Sequence, residues 1–371
     1  MSGVKMAKQL PLKELHVAAG ARFGPFAGYD MPITYPLGVM KEHLHTREAA
    51  GLFDISHMSH IEVRGPQAAN LISRACPYDA SVQPLRTGRY TYMLNDQGGM
   101  IDDLIVSRLG DERFLVVANG ACADKDLAHL EQISADFDAT VTHIPRVFLA
   151  LQGPKAAEAL AKLIPASGTL VFMQVTELSD GTFLSRSGYT GEDGFEIGLS
   201  PDAAEDFAKQ LVSDPAVEWI GLGARDSLRI EAGLPLYGQD MDEDTDPATA
   251  GLIWAVPKDL RSGGAYVGAQ ALAEILAGGV SRKRIGLKPE GRAPVRGGSV
   301  LFAGEAPDAP EIGIVTSGGF GPSCGHPVAI GRIEKSAGAA GDRIYADVRG
   351  KRHACSIEKL PFVEHNYFRG G

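Results

Sequence analysis

Two stretches of this chain repeat one residue pattern, and this repeat constrains the fold more than any other feature. Ile61-Glu-Val-Arg-Gly-Pro-Gln-Ala-Ala69 and Leu149-Ala-Leu-Gln-Gly-Pro-Lys-Ala-Ala157 each read as a strand with alternating apolar residues, a Gly-Pro corner and an alanine-rich helix. Proline suits the first position of a helix, because its missing N–H has no partner there in any case. The pair predicts a duplicated strand-helix unit, and hence a pseudo-symmetric α+β core over roughly the first 250 residues. Chance recurrence of a common strand-turn-helix device is the alternative.

Length and the change of pattern along the chain predict three regions. A chain of 371 residues with 44% hydrophobic and 22% charged residues is typical of a globular protein with two or three domains. After residue 281 the pattern changes to short alternating runs broken by glycines, which indicates a separate small β barrel or sandwich. The predicted boundaries are an α+β region over 1–260, made of two pseudo-repeated subdomains (roughly 1–55 with 140–260, and 56–139), a helical connection over 261–281 and the barrel over 282–371.

Composition argues against several classes of function. A net charge of -10 argues against a nucleic-acid partner, which normally requires a basic face. The four cysteines show no CxxC spacing and the histidines no HxxxH spacing, so no metal site is expected. The chain shows no apolar run typical of a secretion signal or a membrane span, and we therefore expect a cytoplasmic, bacterial protein without membrane contact, with the mature form of an organellar protein as the alternative.

Residues 188–196, Gly-Tyr-Thr-Gly-Glu-Asp-Gly-Phe-Glu, have the composition of a ligand-binding loop. Glycine at every third position permits positive φ and close approach of a ligand, and Tyr189 offers a flat stacking face. A strand resumes at the end of the loop, so Glu196 faces away from its apolar neighbours. We predict that Tyr189 and Glu196 bind a small molecule, whereas Glu192 and Asp193 shape or solvate the turn. A solvated acidic hairpin tip is the alternative.

A pair of carboxylates follows the strong turn signal Asn95-Asp-Gln-Gly-Gly99. Asp102 and Asp103 begin a predicted strand, where adjacent residues face opposite ways, so only one of them can point into a given pocket. A buried carboxylate beside an amine-bearing ligand could orient the amine, accept a proton or stabilise a cation. A turn or cap role is the alternative.

Two arginines lie four residues apart on the predicted helix 224–232. Charges in this arrangement usually form a solvated face. Asp226 and Glu231 of the same helix are able to pair with them locally. In the other interpretation, Arg225 reaches a ligand carbonyl or carboxylate through its planar guanidinium. Met58 is expected either in the core or in the wall of a ligand pocket.

Taken together, these motifs resemble the T-protein family of the glycine cleavage system, the tetrahydrofolate-dependent aminomethyltransferases. The similarity runs nearly from end to end and departs at Tyr29, where relatives commonly carry tryptophan. The shared motifs are Phe26-Ala-Gly-Tyr-Asp-Met-Pro32, Leu52-Phe-Asp-Ile-Ser-His-Met58, Asn95-Asp-Gln-Gly-Gly-Met-Ile-Asp-Asp-Leu104, Leu151-Gln-Gly-Pro154, Gly188 to Glu196, Gly221-Leu-Gly-Ala-Arg-Asp-Ser-Leu-Arg-Ile-Glu-Ala-Gly-Leu234 and Pro361-Phe-Val-Glu-His-Asn-Tyr367.

The resemblance implies a fold, a reaction and partners. The fold is a three-domain α+β cloverleaf around a central folate cavity, with a ferredoxin-like duplicated core and a C-terminal β barrel. The reaction transfers the one-carbon unit of S-aminomethyl-dihydrolipoyl H-protein to tetrahydrofolate, which gives 5,10-methylene-tetrahydrofolate, ammonia and dihydrolipoyl H-protein. Lipoylated H-protein is then the protein partner, tetrahydrofolate the co-substrate, and no metal takes part.

The resemblance also assigns residues. It implies that the second aspartate of the pair, Asp103, is catalytic, and it suggests Arg296 for contact with H-protein, with a solvent-exposed arginine at the barrel edge as the alternative. It places tetrahydrofolate among Met58, Tyr90, Asn119, Tyr189, Glu196, Arg225 and Tyr367.

Two other functions on the same scaffold stay open at this point. A tetrahydrofolate-dependent demethylase of a sulfonium or methylamine substrate would need a similar pocket. A non-catalytic folate-binding protein, such as the iron-sulfur maintenance protein, carries a cysteine in a Lys-Gly-Cys-Tyr-type motif, where this chain has Arg186-Ser-Gly-Tyr189.

Overall fold

The computed structural model of the protein describes residues 7–370. The strands are β1 (Lys8–Gln9), β2 (Arg22–Phe26), β3 (Tyr29–Thr34), β4 (Ala50–Asp54), β5 (Ser59–Arg64), β6 (Thr87–Leu94), β7 (Met100–Gly110), β8 (Arg113–Ala118), β9 (Thr140–His143), β10 (Val147–Gln152), β11 (Val175–Glu177), β12 (Phe183–Ser185), β13 (Gly194–Leu199), β14 (Val217–Trp219), β15 (Arg282–Pro289), β16 (Val300–Phe302), β17 (Glu311–Gly321), β18 (His326–Glu334), β19 (Arg343–Val348) and β20 (Lys351–Glu358). The α-helices are α1 (Lys13–Ala18), α2 (Val39–Glu48), α3 (Ala68–Ala75), α4 (Ala123–Ser134), α5 (Ala156–Ala161), α6 (Pro201–Val212), α7 (Leu222–Glu231) and α8 (Ala269–Gly278).

The two large sheets share one connectivity. The first follows the chain order β5-α3-β6-β7-β8-α4-β9 and has the sheet order β6-β7-β8-β5-β9. The second follows β10-α5-β11-β12-β13-α6-β14 and has the order β11-β12-β13-β10-β4-β14, so β4 is the only strand added between corresponding neighbours. This correspondence supports a duplicated unit over a chance recurrence of the motif.

The Gly-Pro corner occurs at the same place in both units, between the first strand and the first helix. Gly65 and Gly153 have φ of +141° and +125°, and a Cβ on either would lie 2.6 Å or less from a backbone oxygen of a neighbouring segment. Helix α3 begins at Ala68, so Pro66 precedes the helix and does not occupy the predicted first helical position. The Ala68 N–H donates to the Gly65 carbonyl at 3.0 Å, and the closed turn requires no N–H from Pro66.

Strand β10 is buried on both faces, which explains its continuous apolar sequence. Leu149 and Leu151 pack in a cluster with alanines of α5 and α6, whereas Phe148 and Ala150 belong to a second cluster. That second cluster includes Leu115 and other side chains of β8 and β4. The two large sheets therefore pack against each other, with their helices on the outer faces.

Strands β15 to β20 close into a barrel with the order β15-β18-β17-β16-β19-β20. The α+β fold with a duplicated core and a C-terminal β barrel, expected from the sequence, is confirmed. After the barrel, the chain returns to the core, where the N–H of Asn366 donates to the Gly191 carbonyl at 2.8 Å and the N–H of Phe172 to the Phe368 carbonyl at 2.7 Å. The exact domain boundaries stay a prediction, although α8 lies inside the expected connection.

All four cysteines are free thiols in the structure. Among residues 7–370, no helix has the length and apolar character needed to cross a bilayer.

Candidate functional site

One cavity of about 810 Å³ lies where the two large sheets, α7, the barrel and the returning terminal segment meet. Its volume is in the range of small-molecule sites. Arg296 lies outside it, exposed on the barrel, where its guanidinium donates to the Gly318 carbonyl at 3.3 Å. The other predicted site residues all line this cavity: Met58, Tyr90, Asp103, Asn119, Tyr189, Glu196, Arg225 and Tyr367.

Strand β7 presents Asp103 to the cavity and turns Asp102 away from it. The Asp103 carboxylate accepts from the Tyr90 hydroxyl at 3.0 Å and from Asn119 Nδ2 at 2.9 Å. Asp102 accepts from the Asn119 backbone N–H at 3.0 Å and from its Nδ2 at 2.9 Å. Burial, followed by the charge of Asp102, raises the pKa of Asp103 to about 7. A carboxyl group with this pKa can exchange a proton near neutral pH.

Glu196, Tyr189 and Arg225 form a second polar group in the cavity. Glu196 accepts from the Ser187 hydroxyl at 2.7 Å, and burial raises the pKa of its carboxyl. The Arg225 guanidinium lies 4.7 Å from the centre of the Tyr189 ring, in cation–π contact, and its Nη1 has no partner among the described residues. The Tyr189 hydroxyl donates to the Pro235 carbonyl. A ligand that offers an acceptor to Arg225 Nη1 and donors to the Glu196 carboxyl would complement this group.

The glycines of the loop 188–196 serve internal packing more than ligand approach. A Cβ on Gly188 would lie 1.8 Å from the Gln152 side chain, and one on Gly194 would lie 2.4 Å from the Leu151 carbonyl oxygen. Only Gly191 has a positive φ, +83°. The predicted close contact at Gly188 and Gly194 is therefore with strand β10, because the loop folds directly onto it.

The two loop carboxylates that were expected to shape or solvate the turn form ion pairs instead of facing solvent. Glu192 is only 5% exposed. Its carboxylate accepts from Arg47 at 3.0 Å and from Asn366 Nδ2 at 3.0 Å. Asp193 accepts from Arg186 through both oxygens, at 3.0 and 2.5 Å. The solvated-tip interpretation is wrong for Glu192, which connects the loop to α2 and to the terminal segment.

The two arginines of α7 have different roles, and neither forms a solvated face. Arg225 lines the cavity, whereas Arg229 is 1% exposed and donates to Asp240 at 2.7 Å and to Ser317 of the barrel at 2.8 Å. Arg229 also pairs with Asp226, at 2.9 Å, as expected from the sequence. The helix thus contributes one side chain to the cavity and another to the joint between core and barrel.

The terminal segment and Met58 complete the apolar part of the wall. The Tyr367 ring stacks on Phe172 with ring centres 4.1 Å apart and planes 7° apart. Met58 is half-buried and packs against the cluster between the sheets, so both of its expected roles apply.

Three further residues line the cavity, although no site role was predicted for them from the sequence. Arg284 lies on barrel strand β15 in an Arg-Lys-Arg run that reads as an exposed charged edge, yet its Nη1 is buried without a partner among the described residues. Trp254 is 62% exposed, and its ring stacks on Tyr90 at 5.4 Å. His57 is buried, and burial followed by the charge of Arg225 lowers its pKa to about 3. Arg284 and Trp254 carry no local motif, whereas His57 stands in the shared motif 52–58, from which only Met58 was assigned to the site.

Comparisons with known proteins give matches over nearly the whole chain. The family model described as "GCVT N-terminal domain" matches residues 12–260, and "Glycine cleavage T-protein C-terminal barrel domain" matches residues 282–364. "Aminomethyltransferase, mitochondrial" of Flaveria trinervia is 37% identical, and the match covers 98% of this chain and 91% of that protein. The protein of the same name from Gallus gallus is 37% identical, and the match covers 97% of this chain and 94% of that protein.

A solved structure is similar in fold as well as in sequence. The crystal structure of glycine cleavage system aminomethyltransferase T from Bartonella henselae is 51% identical and superposes with a TM-score of 0.94. The match covers 98% of this chain and 99% of that chain.

Proposed function

We propose roles for the cavity residues from the premise that this chain belongs to the glycine cleavage T-protein family and is an aminomethyltransferase. The resemblance expected from the motifs is confirmed, and the names of the full-length relatives do not favour the demethylase or the non-catalytic alternative. The co-substrate we propose is tetrahydrofolate, and the donor is the aminomethylated lipoyl arm of H-protein. One observation carries this assignment: the eight residues implied for catalysis and folate binding line a single cavity.

The donors and acceptors of the cavity fit a pterin. Glu196 is a buried acceptor that suits the amino and ring N–H groups of a pterin, and Arg225 has a free donor for its carbonyl edge. Tyr189 and Met58 supply a wall for the ring, and Tyr90, Asn119 and Tyr367 complete the lining. The free Nη1 of Arg284 is a further buried donor for a polar part of the ligand.

Asp103 is the catalytic group in this proposal. In the reaction, the transferred carbon loses its bonds to sulfur and to the amine nitrogen and gains bonds to two folate nitrogens. The two protons from the folate nitrogens end on ammonia and on the dihydrolipoyl thiol. The Asp103 carboxylate, held by Tyr90 and Asn119, stabilises the positive charge that develops near these nitrogens and accepts one of the protons.

H-protein must reach the same cavity with its lipoyl arm. Arg296 remains our candidate for contact with H-protein, because it is exposed on the barrel, the domain expected near the entrance. Arg284 belongs to the same barrel and places a cation in the cavity, where it would stabilise the leaving thiolate. We also propose the cytoplasmic location expected from the sequence, whereas the plant and animal relatives are named as mitochondrial.

The function is tested by incubating the purified protein with tetrahydrofolate and aminomethylated H-protein, and in parallel with methylated sulfonium and methylamine donors. We expect 5,10-methylene-tetrahydrofolate and ammonia from the H-protein reaction alone. Folate product from a sulfonium or methylamine donor, with none from H-protein, would contradict the proposal.

Removing the Glu196 carboxylate is expected to weaken folate binding more than turnover. Glu196→Ala removes a buried acceptor and leaves its ligand donors unpaired, which costs about 2 kcal/mol or roughly thirtyfold in affinity. Isothermal titration with tetrahydrofolate and kcat at saturating folate separate the two effects. Glu218→Ala, at an exposed position of strand β14, is the matched control and should change neither. An unchanged affinity with a large loss of kcat would reverse the assigned role.

The rate should depend on pH through Asp103. Because burial and the charge of Asp102 raise its pKa to about 7, and because the ionised form is the active one, kcat/KM should rise as pH passes through about 7 and level off above it. Asp102→Asn removes the neighbouring negative charge and should move this limb to lower pH. A profile that falls as pH rises through 7 would show that the protonated form is active.

A further inference from the structure

Behind Asp103, on the side away from the cavity, lies a third buried carboxyl group. Asp126 is on helix α4, is fully buried, and neither of its oxygens accepts a hydrogen bond from any donor among residues 7–370. It contacts the Asp102 carboxylate, and one atom from each of Asp102, Cys122 and Asp126 lies within 4.8 Å of the others. An ionised carboxylate in this position would lack every hydrogen bond that it requires.

The charges around Asp126 favour a proton on this group. Asp102 faces it from β7, the Cys122 thiol from the start of α4 and the Cys76 thiol from the end of α3, while the charge of Asp103 acts on it from the opposite face of β7. The neighbouring cation, Lys125, donates instead to Tyr237 and Glu243, at 2.8 Å each. Burial, followed by the charge of Asp102, raises the pKa of Asp126 to about 10.

The hydrogen-bond pattern indicates which of the three carboxyl groups is best placed to hold a proton. Asp102 accepts two hydrogen bonds from Asn119, and Asp103 accepts from Tyr90 and Asn119. Asp126 has no donor, and a proton on it would convert an unpaired acceptor into a donor to Asp102. The contact between the two carboxyl groups is then a hydrogen bond instead of a repulsion.

We propose that Asp126 carries a proton in the working enzyme and is a positioning residue, which orients Asp103 through Asp102 and Asn119. The proposal rests on the catalytic role proposed for Asp103. The Asp126 hydroxyl donates to Asp102. Asp102 in turn accepts from the backbone N–H and the Nδ2 group of Asn119, and the same Nδ2 group also donates to Asp103. The Asp102 and Asp126 pair then carries one negative charge instead of two, which leaves Asp103 able to ionise near neutral pH.

Infrared spectroscopy tests the proton without any need for turnover. Between the pKa of Asp103, about 7, and that of Asp126, about 10, the wild-type protein should show a protonated carboxyl C=O band that Asp126→Asn lacks. Asp124→Asn, at an exposed position of the same helix, is the matched control and should retain the band. A band of equal intensity in Asp126→Asn overturns the proposal.

Kinetics test the positioning role. Asp126→Leu is neutral but cannot donate, and we expect kcat to fall about tenfold or more with the KM for tetrahydrofolate within about threefold of wild type. Asp126→Asn keeps a neutral donor and should restore kcat to within about threefold of wild type. The acid limb of its kcat/KM profile should stay near pH 7. An Asp126→Asn limb shifted to lower pH, as expected for Asp102→Asn, would show that Asp126 is ionised and overturn the proposal.

Two measurements separate this inference from its premise. If Asp103→Asn retains turnover, the proposed function fails, while the infrared band still decides whether Asp126 is protonated. One equivalent of a tightly bound metal ion in the purified protein, lost in Asp126→Asn, would replace the proton as the compensating charge and overturn the proposal.

Discussion

Asp103→Asn should lower kcat by about 10³-fold, in the range known for loss of a positioned acid or base, while tetrahydrofolate affinity stays within a few-fold of wild type. The asparagine keeps the size of the side chain and can still contact Tyr90 and Asn119. It lacks the negative charge that stabilises the developing cation and the basic oxygen that accepts a proton. Single-turnover kinetics with aminomethylated H-protein, together with folate titration, measure the two quantities.

The matched control for this variant is Asp111→Asn. Asp111 is exposed in the turn between β7 and β8, and it forms a surface ion pair with Arg108 that contributes little to stability. This control should retain wild-type turnover. A comparable loss of activity in both variants, or a loss of folate binding equal to the loss of rate in Asp103→Asn, would show that Asp103 supports the structure of the site and not the chemistry.

Arg229→Met is expected to lower the free energy of unfolding by about 3–5 kcal/mol, the usual cost of leaving a buried charge without its partner. Arg229 pairs with Asp240, which is itself buried, and also binds Ser317 of the barrel. Methionine fills a similar volume but leaves the Asp240 carboxylate without its cation. Denaturant unfolding, followed both by far-ultraviolet circular dichroism and by tryptophan fluorescence, gives the stability change.

A surface ion pair provides the control for Arg229. Lys209→Ala breaks an exposed pair with Glu205 on α6 and should change stability by about 0.5 kcal/mol or less. Replacing Asp240 as well, in Arg229→Met with Asp240→Leu, should recover much of the loss, because no unpaired charge remains. A stability loss in Arg229→Met no larger than that of Lys209→Ala would show that water or another group compensates Asp240.

Local alternation was enough to predict the direction of the main acidic side chains. Phe195 and Ile197 pack in the core on one face of β13 and Glu196 lines the cavity on the other, as the period of two predicts. On β7 the same rule predicts that only one of Asp102 and Asp103 points into the cavity, and the family resemblance singled out Asp103. The duplicated unit was equally visible, because each copy keeps its strand, its corner and its helix within one short stretch.

The remaining features depend on partners that are distant in the chain, which local patterns do not contain. Glu192 looks like a solvated loop carboxylate until Arg47 and Asn366 pack against it. Arg229 looks like a surface charge until Asp240 and the barrel cover it. Arg284 reads as one of three basic residues on an edge, and only the packing of the barrel on the core brings it into the cavity.

The return of the terminal segment to the core has a consequence for synthesis on the ribosome. The stack of Tyr367 on Phe172 and the hydrogen bond from Asn366 to Gly191 close one wall of the cavity. Both large sheets are complete by residue 219, well before this segment leaves the exit tunnel, so the core can form during translation. A message that ends at codon 360 would then give a product that keeps both large sheets and all six barrel strands but lacks this wall, and this product would not support the reaction.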